Sequence, residues 1–138
     1  MTSTTTSVLT SDEKAVCGVL DRMYAAWAAA DADAIARLYA QEATVVMPGV
    51  YHSGAETIRA WFEAGFAGRL RGSTATDEAR SVRFPSADAA TVISTGGILM
   101  AGEASVPAER LVRATWLLTR RDGDWLIAAY HNCPLHAG

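Results

Sequence analysis

The sequence predicts an α+β domain with helices gathered on one face of a curved sheet. Three observations carry this. Apolar residues recur at helical spacing in the first half, β-forming texture takes over from Arg71, and no linker, repeat or low-complexity block interrupts the chain. Its 138 residues suit one domain, and a content of 50% hydrophobic and 20% charged residues supports a real core and excludes disorder.

Residues 1–9 are polar and aperiodic and read as a frayed terminus, leaving 10–138 as the single domain. Thr10 and Glu13 have the spacing of a capping box, Asp12 and Glu13 complement the helix dipole, and Val16, Leu20, Met23 and Trp27 fall on one helical face. Asp31 caps a second, shorter helix carrying Ile35, Leu38 and Tyr39. Ala43 to Met47 reads as a strand stopped by Pro48-Gly49, and Tyr51 to Gly54 as a turn. Ile58, Trp61, Phe62 and Phe66 mark a third helix over Ala55 to Ala67, ended by Gly68. Four long strands follow: Thr74 to Phe84, Ala89 to Met100, Arg110 to Arg120, and Trp125 to Cys133. Short connections imply antiparallel pairing. The last turn fits a three-residue loop, which sets Trp116 opposite Tyr130 and Ala114 opposite Asn132. A two-residue Asp-Gly loop competes with it and would set Trp116 opposite Ala129, moving His131 onto that face.

Twelve basic against fifteen acidic residues give a formal charge of −3, which offers no footprint for nucleic acid or anionic lipid. No apolar run approaches the ~20 residues of a membrane-spanning helix, and the start lacks a secretory pattern, so a cytoplasmic location is expected. Cys17 and Cys133 read as reduced thiols. No spacing signals a metal, flavin or nicotinamide, and no cofactor is expected.

The run from Trp27 through Asp31, Tyr39 and Thr44 to Pro48-Gly49 resembles the nuclear transport factor 2-like superfamily. So do the helix opening at Gly54-Ala-Glu-Thr-Ile58 and the closing Trp125-Leu-Ile-Ala-Ala-Tyr-His-Asn132. The resemblance covers nearly the whole chain and extends to its SnoaL-like members. The closing segment is most similar to the SgcJ/EcaC subfamily of enediyne antibiotic clusters. It implies a cone-shaped domain in which three N-terminal helices pack on a strongly curved antiparallel sheet and enclose a blind pocket. Against ketosteroid isomerase in that superfamily, the tyrosine, base and carboxylic-acid positions fall on Met23, Met47 and about Trp116. A thioether takes up no proton near neutral pH, so that route to isomerisation is closed. Against the kinase-association domain, three cationic positions fall on Thr95, Trp116 and Asn132, so a carboxylate loses its partner there.

What remains is a candidate ligand set of Met23, Trp27, Met47, Trp61, Thr95, Trp116, Tyr130 and Asn132, which serves equally as core filling. Tyr130, His131 and Asn132 are the weak candidates for catalysis, His131 pointing away from the pocket under the three-residue loop. His52 sits in a loop near the expected mouth, and Gly96-Gly97 marks a bend in a strand. Arg120 and Arg121 read as a solvated rim. The expected function is binding of a small apolar, polyketide- or polyene-derived molecule in a blind pocket, in antibiotic (enediyne) biosynthesis; the alternatives are a SnoaL-like cyclase, dehydratase or isomerase-type enzyme, or a dimeric assembly module without ligand. All allow a homodimer through the convex sheet face, where Leu117, Trp125, Ile127 and Ala129 are expected to be exposed.

Overall fold

A computed structural model describes residues 10–136. Helices α1 (Ser11–Ala28), α2 (Ala32–Arg37) and α3 (Ala55–Ala67) pack on a six-stranded sheet made of β1 (Tyr39–Met47), β2 (Val50–Ser53), β3 (Thr74–Ser86), β4 (Ala89–Leu99), β5 (Val112–Arg121) and β6 (Asp124–Pro134). The order is β2-β1-β6-β5-β4-β3. Pairing is antiparallel except that β1 runs parallel to β6, which joins the helical half of the chain to the strand-rich half. The result is a cone, with the helices closing the concave face.

Local chemistry accounts for the boundaries. The capping box of α1 is complete, the Glu13 amide donating to Thr10 Oγ1 at 3.0 Å and the Thr10 amide to Glu13 Oε1 at 2.8 Å. Asp31 accepts from the Ala34 amide at 3.0 Å, but α2 ends at Arg37, and Tyr39 belongs to β1 rather than to the helix. Val50–Ser53 is a strand, not a turn: Pro48-Gly49 closes a hairpin that returns along β1 and pairs His52 with Val45. Val16, Ile35, Ile58, Val92, Leu118 and Ile127 are each at most 1% exposed and hold the three helices to the sheet. No helix among the described residues is long and apolar enough to cross a membrane.

The β5–β6 hairpin departs from both readings of its turn. The loop has two residues, Asp122 and Gly123, with φ of 52° and 85°. Arg121 pairs with Asp124 and Leu118 with Ile127, yet Trp116 pairs with Tyr130 and Ala114 with Asn132, because Ala128 is an extra residue between Leu117 and Leu118 of the partner strand. The upper register is therefore the expected one, and the lower half is inverted. Trp125 and Ile127 are 6% and 0% exposed within the core, which removes them from the convex face. Leu117 and Ala129 stay outside and are partly covered.

Candidate functional site

Between helices and sheet lies a cavity of about 550 Å³. Met23 and Trp27 of α1, Trp61 and Phe62 of α3, Met47 of β1 and Trp116 of β5 form its apolar wall. Trp27 stands edge-on to Phe62 with ring centroids 5.0 Å apart. Both deep indoles have their N–H groups satisfied within the wall: Trp27 Nε1 donates to Ser73 Oγ at 3.0 Å, and Trp116 Nε1 to Ser94 Oγ at 3.1 Å. Their ring faces are thus left to apolar contact.

Of the eight candidate ligand residues, Met23, Trp27, Met47, Trp61, Trp116, Tyr130 and Asn132 line this cavity. Thr95 does not. It pairs with Glu78 and Arg113 on the outer face and accepts from Arg113 Nε at 3.1 Å, because alternation along β4 sends Ser94 and Gly96 inward instead. His131 is exposed on the same outer face. At the mouth stand Arg69 and Arg110, the latter held by Glu103 at 3.0 Å.

Two residues that sequence reasoning passed over bring the strongest chemistry. Tyr24 of α1 donates its hydroxyl to Asp77 Oδ2 of β3, and both side chains line the cavity. Burial pushes the Asp77 carboxyl above its ordinary value, and this prevails over Tyr24, Ser94 and Trp116, which favour the charged form. Burial and then the Asp77 charge push the Tyr24 phenol up as well. No Arg or Lys pairs with Asp77 among the described residues. Across Trp116, whose ring centroid is 4.3 Å from that of Tyr130, lies a second polar pair. Asn132 Nδ2 donates to the Tyr130 oxygen at 2.8 Å, leaving the phenol proton free to point elsewhere. Burial raises the Tyr130 phenol to about 12.

Gly96 makes room for Asp77. A Cβ at position 96 would lie 2.0 Å from the Thr76 carbonyl oxygen and 2.8 Å from Asp77 Oδ1, so only glycine lets β3 and its carboxyl approach β4 this closely. Gly97 meets Val106 and the Arg110 carbonyl, seating the β4–β5 connection beside the mouth. Tyr24 had a visible signal, since it lies on α1 directly after Met23 and three residues before Trp27. Asp77 was hidden by a bulge. Register shifts between Ala79 and Ser81, so extending the inward phase of Val82 and Phe84 back along β3 turns Glu78, not Asp77, into the cone.

The model of the SnoaL-like domain matches residues 16–135. The chain belongs to the SnoaL-like domain family. Several solved structures share the fold of this SnoaL-like domain. A domain of unknown function with a cystatin-like fold from Nostoc punctiforme is 21% identical, with a TM-score of 0.84 over 94% of this chain and 81% of that one. A putative calcium/calmodulin-dependent protein kinase II association domain from Xanthomonas campestris is 22% identical, with a TM-score of 0.73 over 89% and 87%. A ketosteroid isomerase-like protein from Erwinia carotovora atroseptica is 19% identical, with a TM-score of 0.72 over 94% and 100%. No curated protein matches the sequence. Met23, Met47 and Trp116 bring no carboxyl or phenol into this SnoaL-like domain's cavity, whereas Tyr24 and Asp77 bring one of each.

Proposed function

We propose that the cavity takes a small, uncharged, largely apolar molecule and moves a proton on it. The observation that carries this reading is Asp77, a carboxyl half-buried in an apolar wall, held by a phenol and, among the described residues, in no ion pair. Ionised, Asp77 takes a proton from a carbon next to a carbonyl. The bonding pair moves onto the carbonyl oxygen, which receives the free Tyr130 proton as a hydrogen bond, and Asp77 returns the proton at another atom. Ring closure, isomerisation and loss of water all use this step. The similarity of the closing segment to enediyne-cluster proteins favours a polyketide- or polyene-derived substrate. A carboxylate entering the cavity meets Asp77 and sheds its water without a buried cation, so neutral ligands bind more tightly than acids of equal size.

The test uses 5-nitrobenzisoxazole, an apolar probe whose ring opens when a base removes its C–H proton. The wild-type protein should open it with a rate that rises as Asp77 ionises, and Asp77→Asn should lower that rate by about 100-fold or more. Equal rates in the two proteins would leave binding as the function. The same reading takes the protein as a homodimer through the convex face, with Val46 and Tyr51, 37% and 69% exposed, replacing Trp125 and Ile127 in that surface. Sedimentation as a monomer at tens of micromolar removes the dimer.

A further inference from the structure

Among the described residues lining the cavity, one fully buried side-chain polar atom has no partner. Among the described residues, two buried side-chain polar atoms make no hydrogen bond, Thr119 Oγ1 and His52 Nε2, and of the two residues only His52 lines the cavity. His52 is on β2, paired with Val45, which pairs with Tyr130, which pairs with Trp116. These residues form one cross-strand row on the concave face. Two strand spacings separate His52 from Tyr130, setting their Cα atoms about 10 Å apart with Val45 between them. On its other side the imidazole lies 5.6 Å from the Trp61 ring, tilted by 50°, and Arg69 sits over that indole. An orphaned buried nitrogen costs stability that an apolar ring of the same size would not.

We propose that His52 is a specificity residue that binds a hydroxyl at the end of the ligand remote from Asp77. The assignment rests on the proton-transfer reading of the cavity and narrows its substrate class to elongated molecules with an oxygen function at each end of an apolar body. A hydroxyl suits the site because it both donates and accepts, and so pairs with Nε2 whether or not that nitrogen carries a proton. A carboxylate only accepts, and it brings a charge into an apolar wall. Rotation of the ring about its broad terminal torsion carries Nε2 to the cavity side as the ligand arrives.

Two matched probes test this, 4-acetylbiphenyl and 4-acetyl-4'-hydroxybiphenyl, titrated by tryptophan fluorescence against the wild type, His52→Phe and His52→Gln. In the wild type the hydroxyl should tighten binding about tenfold. That ratio should collapse to about one in His52→Phe and be partly kept in His52→Gln. Ligand-free His52→Phe should also melt above the wild type, since the orphaned nitrogen is gone. A tenfold ratio surviving in His52→Phe, or no ratio in the wild type, overturns the assignment while leaving the apolar cavity intact. Failure of 4-acetylbiphenyl itself to bind overturns the cavity reading and this one with it. Tighter binding of the matching biphenyl carboxylate, lost in Arg69→Ala, would move the role from His52 to Arg69 and overturn it as well.

Discussion

Carboxylates inside the cone and on its rim live by opposite rules. Outside, each acidic side chain in an ion pair has an arginine: Arg120 holds Asp12 at 3.0 Å and Asp88 at 3.1 Å, and Arg59 holds Glu56 at 2.6 Å and Glu63 at 3.0 Å. Hydrogen bonds from arginine draw Glu42, Glu56 and Glu103 below the ordinary carboxylate range. Inside, Asp77 has a phenol, a serine and an indole, and its carboxyl is pushed the other way. One side-chain type is thus a tether in one region and, on the reading proposed above, a proton carrier in the other. Burial makes the difference, with no ion pair at Asp77 among the described residues.

The comparison sharpens most at the inner wall. Trp116→Ala removes a side chain 4% exposed, together with its hydrogen bond to Ser94, and should cost about 3–5 kcal/mol of unfolding free energy in urea titrations. A loss below about 1 kcal/mol would mean that the inner polar set does not depend on the core. Next in size is Gly96→Ala. The added methyl overlaps the Thr76 carbonyl, and overpacking of this kind costs about 1–3 kcal/mol. Because β3 must back away, the carboxyl of Asp77 should also titrate closer to its ordinary value, read by carbon-13 NMR of labelled aspartate. An unchanged titration would separate Gly96 from the site.

A pH series tests the two regions in opposite directions. Folded Asp77 keeps its proton above the ordinary value of 3.8, so the native state binds more protons than the unfolded chain between that pH and the raised one. Stability from this group is therefore greatest at low pH and falls as pH rises through that window. Asp77→Asn should flatten the fall. The lowered rim carboxylates work the other way, losing stability as pH falls, but solvent screens them and their slope is shallow. The smallest effect belongs to the rim. Arg120→Ala should cost about 1 kcal/mol, part of it from the guanidinium packed 5.0 Å from the Trp125 ring, with the ionic share fading in high salt. A salt-independent loss of several kcal/mol would make Arg120 part of the core and erase the contrast.

Element type, order and most of the cavity lining were legible because helical spacing, caps and turn residues are local. Met23 and Trp27 share the cavity for that reason, while Trp116 and Tyr130 keep the expected register because the bulge at Ala128 offsets the shorter turn. What escaped was phase. The strands that misled carry extra residues, at Arg80 and again between Arg83 and Ser86 on β3 and at Ala128 on β6, and beyond each the in-and-out alternation reverses. Asp77 was hidden by the one at Arg80, and Trp125 and Ile127 were sent to the wrong face by the one at Ala128. A bulge is specified by partner strands far away in sequence, so no window of residues announces it. Thr95 is a different case: it lies on a regular stretch and was placed by analogy with another domain, not by its own alternation.

The extra residue at Ala128 also sets how this scaffold can change. Deleting it leaves Trp116 facing Tyr130 and Leu118 facing Ile127, so every lining side chain keeps its side of the sheet, while the local bend that the bulge imposes on β6 relaxes. The bend of β6 and the set of side chains facing the cavity are thus fixed by different residues at this point. Loss of Ala128 alone relaxes that bend without changing which phenols, indoles and amides face the chamber, whereas a loss elsewhere in β6 turns the side chains beyond it to the other face.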